Sequence, residues 1–291
     1  MKLQTFAFTL VLCGAASHAY ASAITFTAVG ANPAAITPTR DAFRSAVGGG
    51  AVGGANGSFG GLRREINWDG VPAGFSAPNS LPANFFNVNS PRGVIFSTPG
   101  SGFQVSGATG DVGAGQPAAA NFGNIDPSYT TTFQPFSAQR LFTALGSNVV
   151  DVSFFLPGTA TLATVSAFAA IFTDVDLANT TSIQFFDASN TSLGTFYATN
   201  SVGSQSLSFL GVNFDAGERV GRVRITSGNA ALGAGVVDNN GNTTDLVAMD
   251  DFLYAEPSSA VPEPATGLCI AACLGALMLK RRVVLVGMQA H

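Results

Sequence analysis

Residues Thr164–Val175 read TVSAFAAIFTDV, a long run that is apolar on both faces of an extended chain. It carries no polar stripe of period two or 3.6. A strand covered on both faces reads this way, as the central strand of a layered sheet does. The neighbouring segments fit the same picture. Val149–Leu156 is β-branched and aromatic and stops at Pro157-Gly158. Ser182–Asp187 and Leu193–Ala198 bracket a turn at Ala188–Thr191, and Leu207–Phe214 follows. Arg222–Thr226 (RVRIT) alternates, which places Val223 and Ile225 inward and both arginines outward. Val247–Tyr254 is the last strand of the series. Upstream, Ile24–Val29 alternates, and Val94–Thr98 with Phe103–Gly107 predicts a hairpin around Pro99-Gly100. About ten strands separated by Gly, Pro and Asn turns predict an all-β fold, an antiparallel β-sandwich of jelly-roll-like type.

One short helix is expected within this domain. Thr37 suits a cap, Pro38 the first helical position, and Gly48 the end. The glycine-rich stretch Gly48–Gly61 lacks the Gly-Lys-Ser/Thr of a phosphate cradle and reads as a flexible loop.

Composition restricts the chemistry. Residues 24–260 contain no Cys, His or Lys, and nine Arg stand there against sixteen Asp and Glu. Thiol nucleophiles, thiolate or imidazole metal sites, Ser-His-Asp triads and Lys Schiff bases are excluded from this region. No disulfide framework is possible in it. The acidic balance argues against nucleic acid as a partner. Carboxylate, guanidinium, hydroxyl and backbone groups remain. They leave oxygen-ligand cation binding, carboxylate glycoside hydrolysis, or no catalysis.

The termini read as addresses. Lys2, the apolar core Phe6–Ala16 and the small-x-small sites Ala19-Tyr20-Ala21 and Ala21-Ser22-Ala23 describe a signal peptide over 1–23. At the other end Val261, Pro262, Glu263 and Pro264 precede an apolar run, 265–279, and a basic cluster, Lys280, Arg281 and Arg282. A run of fifteen residues falls short of the roughly 20 of a comfortable membrane span. The basic cluster belongs at the cytoplasmic face. This three-part arrangement resembles the PEP-CTERM sorting tail of exported bacterial proteins. The resemblance implies export with cleavage by signal peptidase, recognition by a membrane-embedded exosortase at the inner membrane, and delivery to the cell surface or medium, in hosts that commonly make exopolysaccharide. Residues 261–282 would be the sorting signal, with 265–279 as its transmembrane helix. Val283–His291 is a C-terminal extension beyond the basic cluster, and 24–260 would be the delivered ectodomain. REINWDGVP (64–72), FTDVD (172–176) and MDDFLYAEP (249–257) resemble segments of uncharacterised proteins that carry this tail, a group without an assigned activity.

Three clusters could carry chemistry. Alternation in Val247–Tyr254 puts Met249, Asp251 and Leu253 on one face and Ala248, Asp250, Phe252 and Tyr254 on the other. Whichever face is buried takes a carboxylate with it, and that carboxylate needs an Arg, backbone donors or a cation. Asp174 and Asp176, two apart at a strand end, repel unless something positive lies between them, and Asp187 could join them. A structural Ca²⁺ among Asp174, Asp176 and Asp250 or Asp251 is the cation reading. The loop Asp238–Asn242 is oxygen-rich but fails the EF-hand spacing, because Thr243 and Met249 stand at its key positions; it reads as turn chemistry. The third cluster surrounds the sole Trp. Asn67, Trp68 and Asp69 could present an aromatic platform and polar groups to a sugar, although a single Trp near a turn is more often a core or cap residue. Glu65 with Asp69 is the corresponding glycosidase pair, which would need a cleft between them. The leading expectation is a non-enzymatic, structural or adhesive envelope protein. A carbohydrate-binding module through Trp68 is the alternative, and a carboxylate-only glycosidase the third reading.

Overall fold

The computed structural model describes residues 23–49, 53–108, 119–239 and 242–259. The expected signal peptide 1–23, apart from Ala23, and the expected sorting signal 261–282 with its extension 283–291 lie outside the described residues.

Fifteen strands are formed among the described residues. The first seven are β1 (Ala23–Gly30), β2 (Ser58–Phe59), β3 (Arg63–Ile66), β4 (Val94–Ser97), β5 (Gly102–Val105), β6 (Phe142–Leu145) and β7 (Val149–Phe154). The next four are β8 (Ala163–Thr164), β9 (Ala167–Thr173), β10 (Ser182–Phe186) and β11 (Ser192–Tyr197). The last four are β12 (Leu207–Phe214), β13 (Arg222–Thr226), β14 (Ala248–Ala255) and β15 (Ser258–Ser259). The larger sheet runs β1-β12-β9-β14-β3-β2, with β6 joining β14 and β5 joining β6. The smaller runs β11-β10-β13-β7-β4, and β15 pairs with β8 alone. Every pairing is antiparallel.

The opening stretch is central as its pattern predicts only over Ala167–Thr173, because Thr164 belongs to β8, which pairs with β15, and the strand ends before Asp174. β9 is hydrogen-bonded on both sides, to β12 and to β14, and all seven of its residues are buried. One face meets the smaller sheet: Phe154 of β7 packs against Phe168 of β9 and Tyr254 of β14. Phe185 of β10 likewise meets Phe214 of β12. The two sheets therefore share one core. The other face is covered by the helix α1 (Pro33–Val47), whose Phe43 packs edge-on against Phe26 and Phe209. Gly211 of β12 makes room for it, since a Cβ there would come within 2.7 Å of the Phe43 ring. RVRIT behaves as read: Val223 and Ile225 are buried, and Arg222 and Arg224 both reach Asp151 on the outer face.

Three expectations are corrected. The helix starts earlier than Thr37, because Asn32 caps it by accepting the Ala35 N–H and Pro33 takes its first position. Pro38 lies inside it, while Thr37 Oγ1 donates to Pro33 O. Two single-turn helices, α2 (Phe85–Val88) and α3 (Tyr129–Thr132), accompany it. β4 and β5 do not form a hairpin. β4 pairs with β7 and β5 with β6, so both two-strand units cross between the sheets at one corner, where Thr98 Oγ1 donates to Val149 O. Finally, the alternation in β14 is broken. Met249 faces Phe172 and Phe252 faces Ala170, so β14 carries one extra residue there, a β-bulge at Asp250-Asp251. Among the described residues no helix is long and apolar enough to cross a membrane.

Candidate functional site

β9 ends at Thr173 because Asp174 adopts a left-handed backbone (φ 72°) and donates its N–H to Ser206 O. That turn aims the next two carboxylates at the loops beyond the sheet. Asp174 Oδ1 accepts the Gln205 N–H at 3.1 Å, and Asp176 Oδ1 accepts the Gly203 N–H at 2.8 Å. Asp238 arrives from the loop before β14, its Oδ1 accepting from Leu246 N at 3.2 Å. One carboxylate oxygen from each of Asp174, Asp176 and Asp238 lies within 4.8 Å of the others. Asp174 and Asp176 are fully buried, and the Oδ2 atom of each has no hydrogen-bond donor. Asp245 stands alongside as a brace, accepting from Asp176 N at 2.9 Å and from Thr180 Oγ1.

Burial pushes the Asp174 carboxyl up to about 8, and the charges of Asp238 and Asp176 add to it while the Gln205 amide opposes. Asp176 and Asp245 are raised chiefly by burial, and Asp238 adds to both. These oxygens form a hard-anion cluster whose electrostatic neighbours are one another.

The Asp250-Asp251 bulge has a different role. Asp250 Oδ2 accepts from Phe136 N at 2.5 Å and Ser137 N at 3.2 Å, and Ser137 Oγ donates toward Asp250 Oδ1 and Asp251 Oδ1. The pair thereby fastens the segment before β6 to the interior strand β14. Burial, and then the Asp251 charge, push Asp250 well above the usual carboxylate range. Burial pushes Asp251 up to about 6, against hydrogen bonds from Asp250 and Ser137.

The chain matches no known family model, no curated protein and no solved structure. Its site therefore has to be read from its own geometry.

Of the expected cation ligands, Asp174 and Asp176 converge, and Asp238 completes the group in place of Asp250 or Asp251. The bulge explains the exchange, since it commits both β14 carboxylates to Phe136 and Ser137. Asp187 does not join: its Oδ1 closes the β10–β11 turn on the Ser189 and Thr191 amides. Asp238 was legible only as turn chemistry. Asn239 does that work, bracing the Thr243 and Thr244 amides, and leaves Asp238 to face the cluster.

The sugar platform is corrected outright. Trp68 is 1% exposed. Its ring stacks on Phe142 at 4.1 Å, meets Phe86 and Phe252 edge-on, and donates Nε1–H to Asp250 O at 2.9 Å. An indole enclosed in this way offers no face to a ligand. Glu65 and Asp69 are engaged too. Arg44 holds Glu65 in a two-pronged bridge (2.7 and 2.6 Å) with Arg63 at 2.9 Å, and Asp69 Oδ1 accepts from Gln139 and Arg140 N–H. A cavity of about 600 Å³ does open beside this region, with Asn56, Asn67, Arg40, Phe59 and Phe136 in its wall.

Proposed function

We propose that this chain is an exported, non-enzymatic protein of the cell envelope or extracellular matrix, built on a jelly-roll-like sandwich and structural or adhesive in role. Signal peptidase and an exosortase would process it, and exopolysaccharide would be its surroundings. The observation that carries the reading is the tail: Pro262-Glu263-Pro264, the apolar run 265–279, and Lys280, Arg281 and Arg282. Its short apolar span suits a processing signal better than a lasting anchor. The absence of Cys, His and Lys from 24–260 supports the non-enzymatic part. So does the commitment of Glu65 and Asp69 to arginine and backbone partners. Deleting residues 261–282 is expected to move the protein from the surface fraction to the soluble fraction, as immunoblots of fractionated cells would read. Unchanged surface display in the deletion would reject the tail as the sorting signal.

One observation favours a second reading, contact with polysaccharide through the 600 Å³ cavity rather than through Trp68. Its wall combines two aromatic rings with the Asn56 and Asn67 amides and the Arg40 guanidinium, which lies 5.0 Å from the Phe136 ring. Sugars offer C–H faces to rings and hydroxyls to amides. On this reading a glycan array shows binding that Asn67→Ala and Phe136→Ala each weaken. Absence of binding to every polysaccharide on the array would discard it.

A further inference from the structure

We propose that Asp174, Asp176 and Asp238 form a Ca²⁺ site that ties the end of β9 to the loop before β14 and to the turn at residues 203–205. Each of the three carboxylates already spends one oxygen on a backbone amide: Gln205 for Asp174, Gly203 for Asp176, Leu246 for Asp238. Those bonds fix the carboxylates in place before any ion arrives. The second oxygens of Asp174 and Asp176 are buried and receive nothing from the protein. A buried anionic oxygen without a donor or cation is costly, and two of them side by side are more so. Either a proton or a cation has to satisfy them.

The chemistry of the donors selects the cation. Hard carboxylate oxygens favour Ca²⁺ or Mg²⁺ over the softer metals. Ca²⁺ bonds of about 2.3–2.6 Å can bridge oxygens up to about 5 Å apart, whereas Mg²⁺ at about 2.0–2.1 Å needs a tighter, octahedral set. The ligand oxygens lie within 4.8 Å of one another. Three carboxylates supply part of a six- to eight-oxygen shell, which leaves room for water. Asp245 acts as a positioning residue, since its oxygens hold the Asp176 amide and the Thr180 hydroxyl. The site joins three segments that are distant in sequence, and it does so independently of how the chain is sorted.

The test is calorimetric titration of CaCl₂ into the EGTA-treated full chain at pH 8, with thermal melts in parallel. One Ca²⁺ per chain and a raised Tm are expected, with a much smaller response to MgCl₂. Asp174→Asn keeps the shape of the side chain and removes the buried charge. It is therefore expected to raise the metal-free Tm while weakening Ca²⁺ binding at least tenfold. Asp238→Asn, in a less buried position, should weaken binding without disturbing the fold. No heat and no Tm change with Ca²⁺ would overturn the proposal. So would an undiminished response in both variants, or an equal response to Mg²⁺.

Discussion

Replacing Trp68 by alanine is expected to destabilise the protein by about 3–5 kcal/mol, the cost of removing a large aromatic from a packed core. At this chain size that lowers Tm by about 6–20 °C. Trp68 is the hub of a ring cluster: Phe142 lies flat against it, and Phe86, Phe96 and Phe252 approach from the sides. Alanine leaves a void among rings carried by two sheets and a helix, which cannot collapse together to fill it. It also strips the Asp250 carbonyl of its indole donor at the bulge. Trp68→Phe separates the two contributions. It keeps most of the packing and loses the hydrogen bond, so a smaller loss of about 1–2 kcal/mol is expected. Thermal or urea melts of both variants decide the matter. A Trp68→Ala protein that melts within about 2 °C of the parent but loses binding to a glycan would reinstate the platform reading.

The second large effect concerns pH and the Asp250-Asp251 pair. Both carboxyls are raised in the folded protein, Asp250 well above the usual range and Asp251 to about 6. The groups facing them are Asp69 and Glu65, which add negative charge, Arg44, which opposes it, and the Phe136 and Ser137 donors. The folded pair holds a proton that the unfolded chain releases near pH 4. Between those values the folded state binds more protons, so stability falls as pH rises. One proton held corresponds to about 1.4 kcal/mol per pH unit. Below pH 4 both states are protonated and the difference vanishes. Asp250→Asn keeps acceptor capacity for the Phe136 amide and removes one charge. Melts from pH 5 to pH 8 at saturating Ca²⁺ should therefore show a clear decline for the parent and a flatter profile for Asp250→Asn. Parallel profiles would mean that the pair does not hold the extra proton.

The layered β architecture was legible because burial leaves periodic marks. β9 has no polar face, and RVRIT has one polar face and one apolar. Where the chain departs from regular pairing, those marks fail. Nothing in MDDF announces an extra residue in β14, yet the bulge decides that Asp250 and Asp251 brace Phe136 and Ser137 rather than a cation. The β4–β5 corner misled for a related reason. Pro99-Gly100 is a sound turn signal, but it does not say whether the next strand returns to its neighbour or crosses to the other sheet. The candidate cation site was half visible. Asp174 and Asp176 share a short segment and its face, so their spacing is informative. Asp238 comes from a remote loop, and only the tertiary fold brings it within reach. Trp68 illustrates the opposite hazard. A single indole flanked by Asn and Asp resembles a sugar site in sequence, while its burial among phenylalanines assigns it to the core.

The proposed function rests on reading the tail as a sorting signal, which the mature protein's mass tests. Intact-mass spectrometry of the protein recovered from the surface or medium of the cells that make it reads both ends at once. Processing at both signals leaves a chain that begins near Ser22–Ile24 and ends near Pro264, without the apolar run, the basic cluster or Val283–His291. A mass that retains residues 265–291 would contradict it and make the C-terminal segment a lasting part of the mature protein.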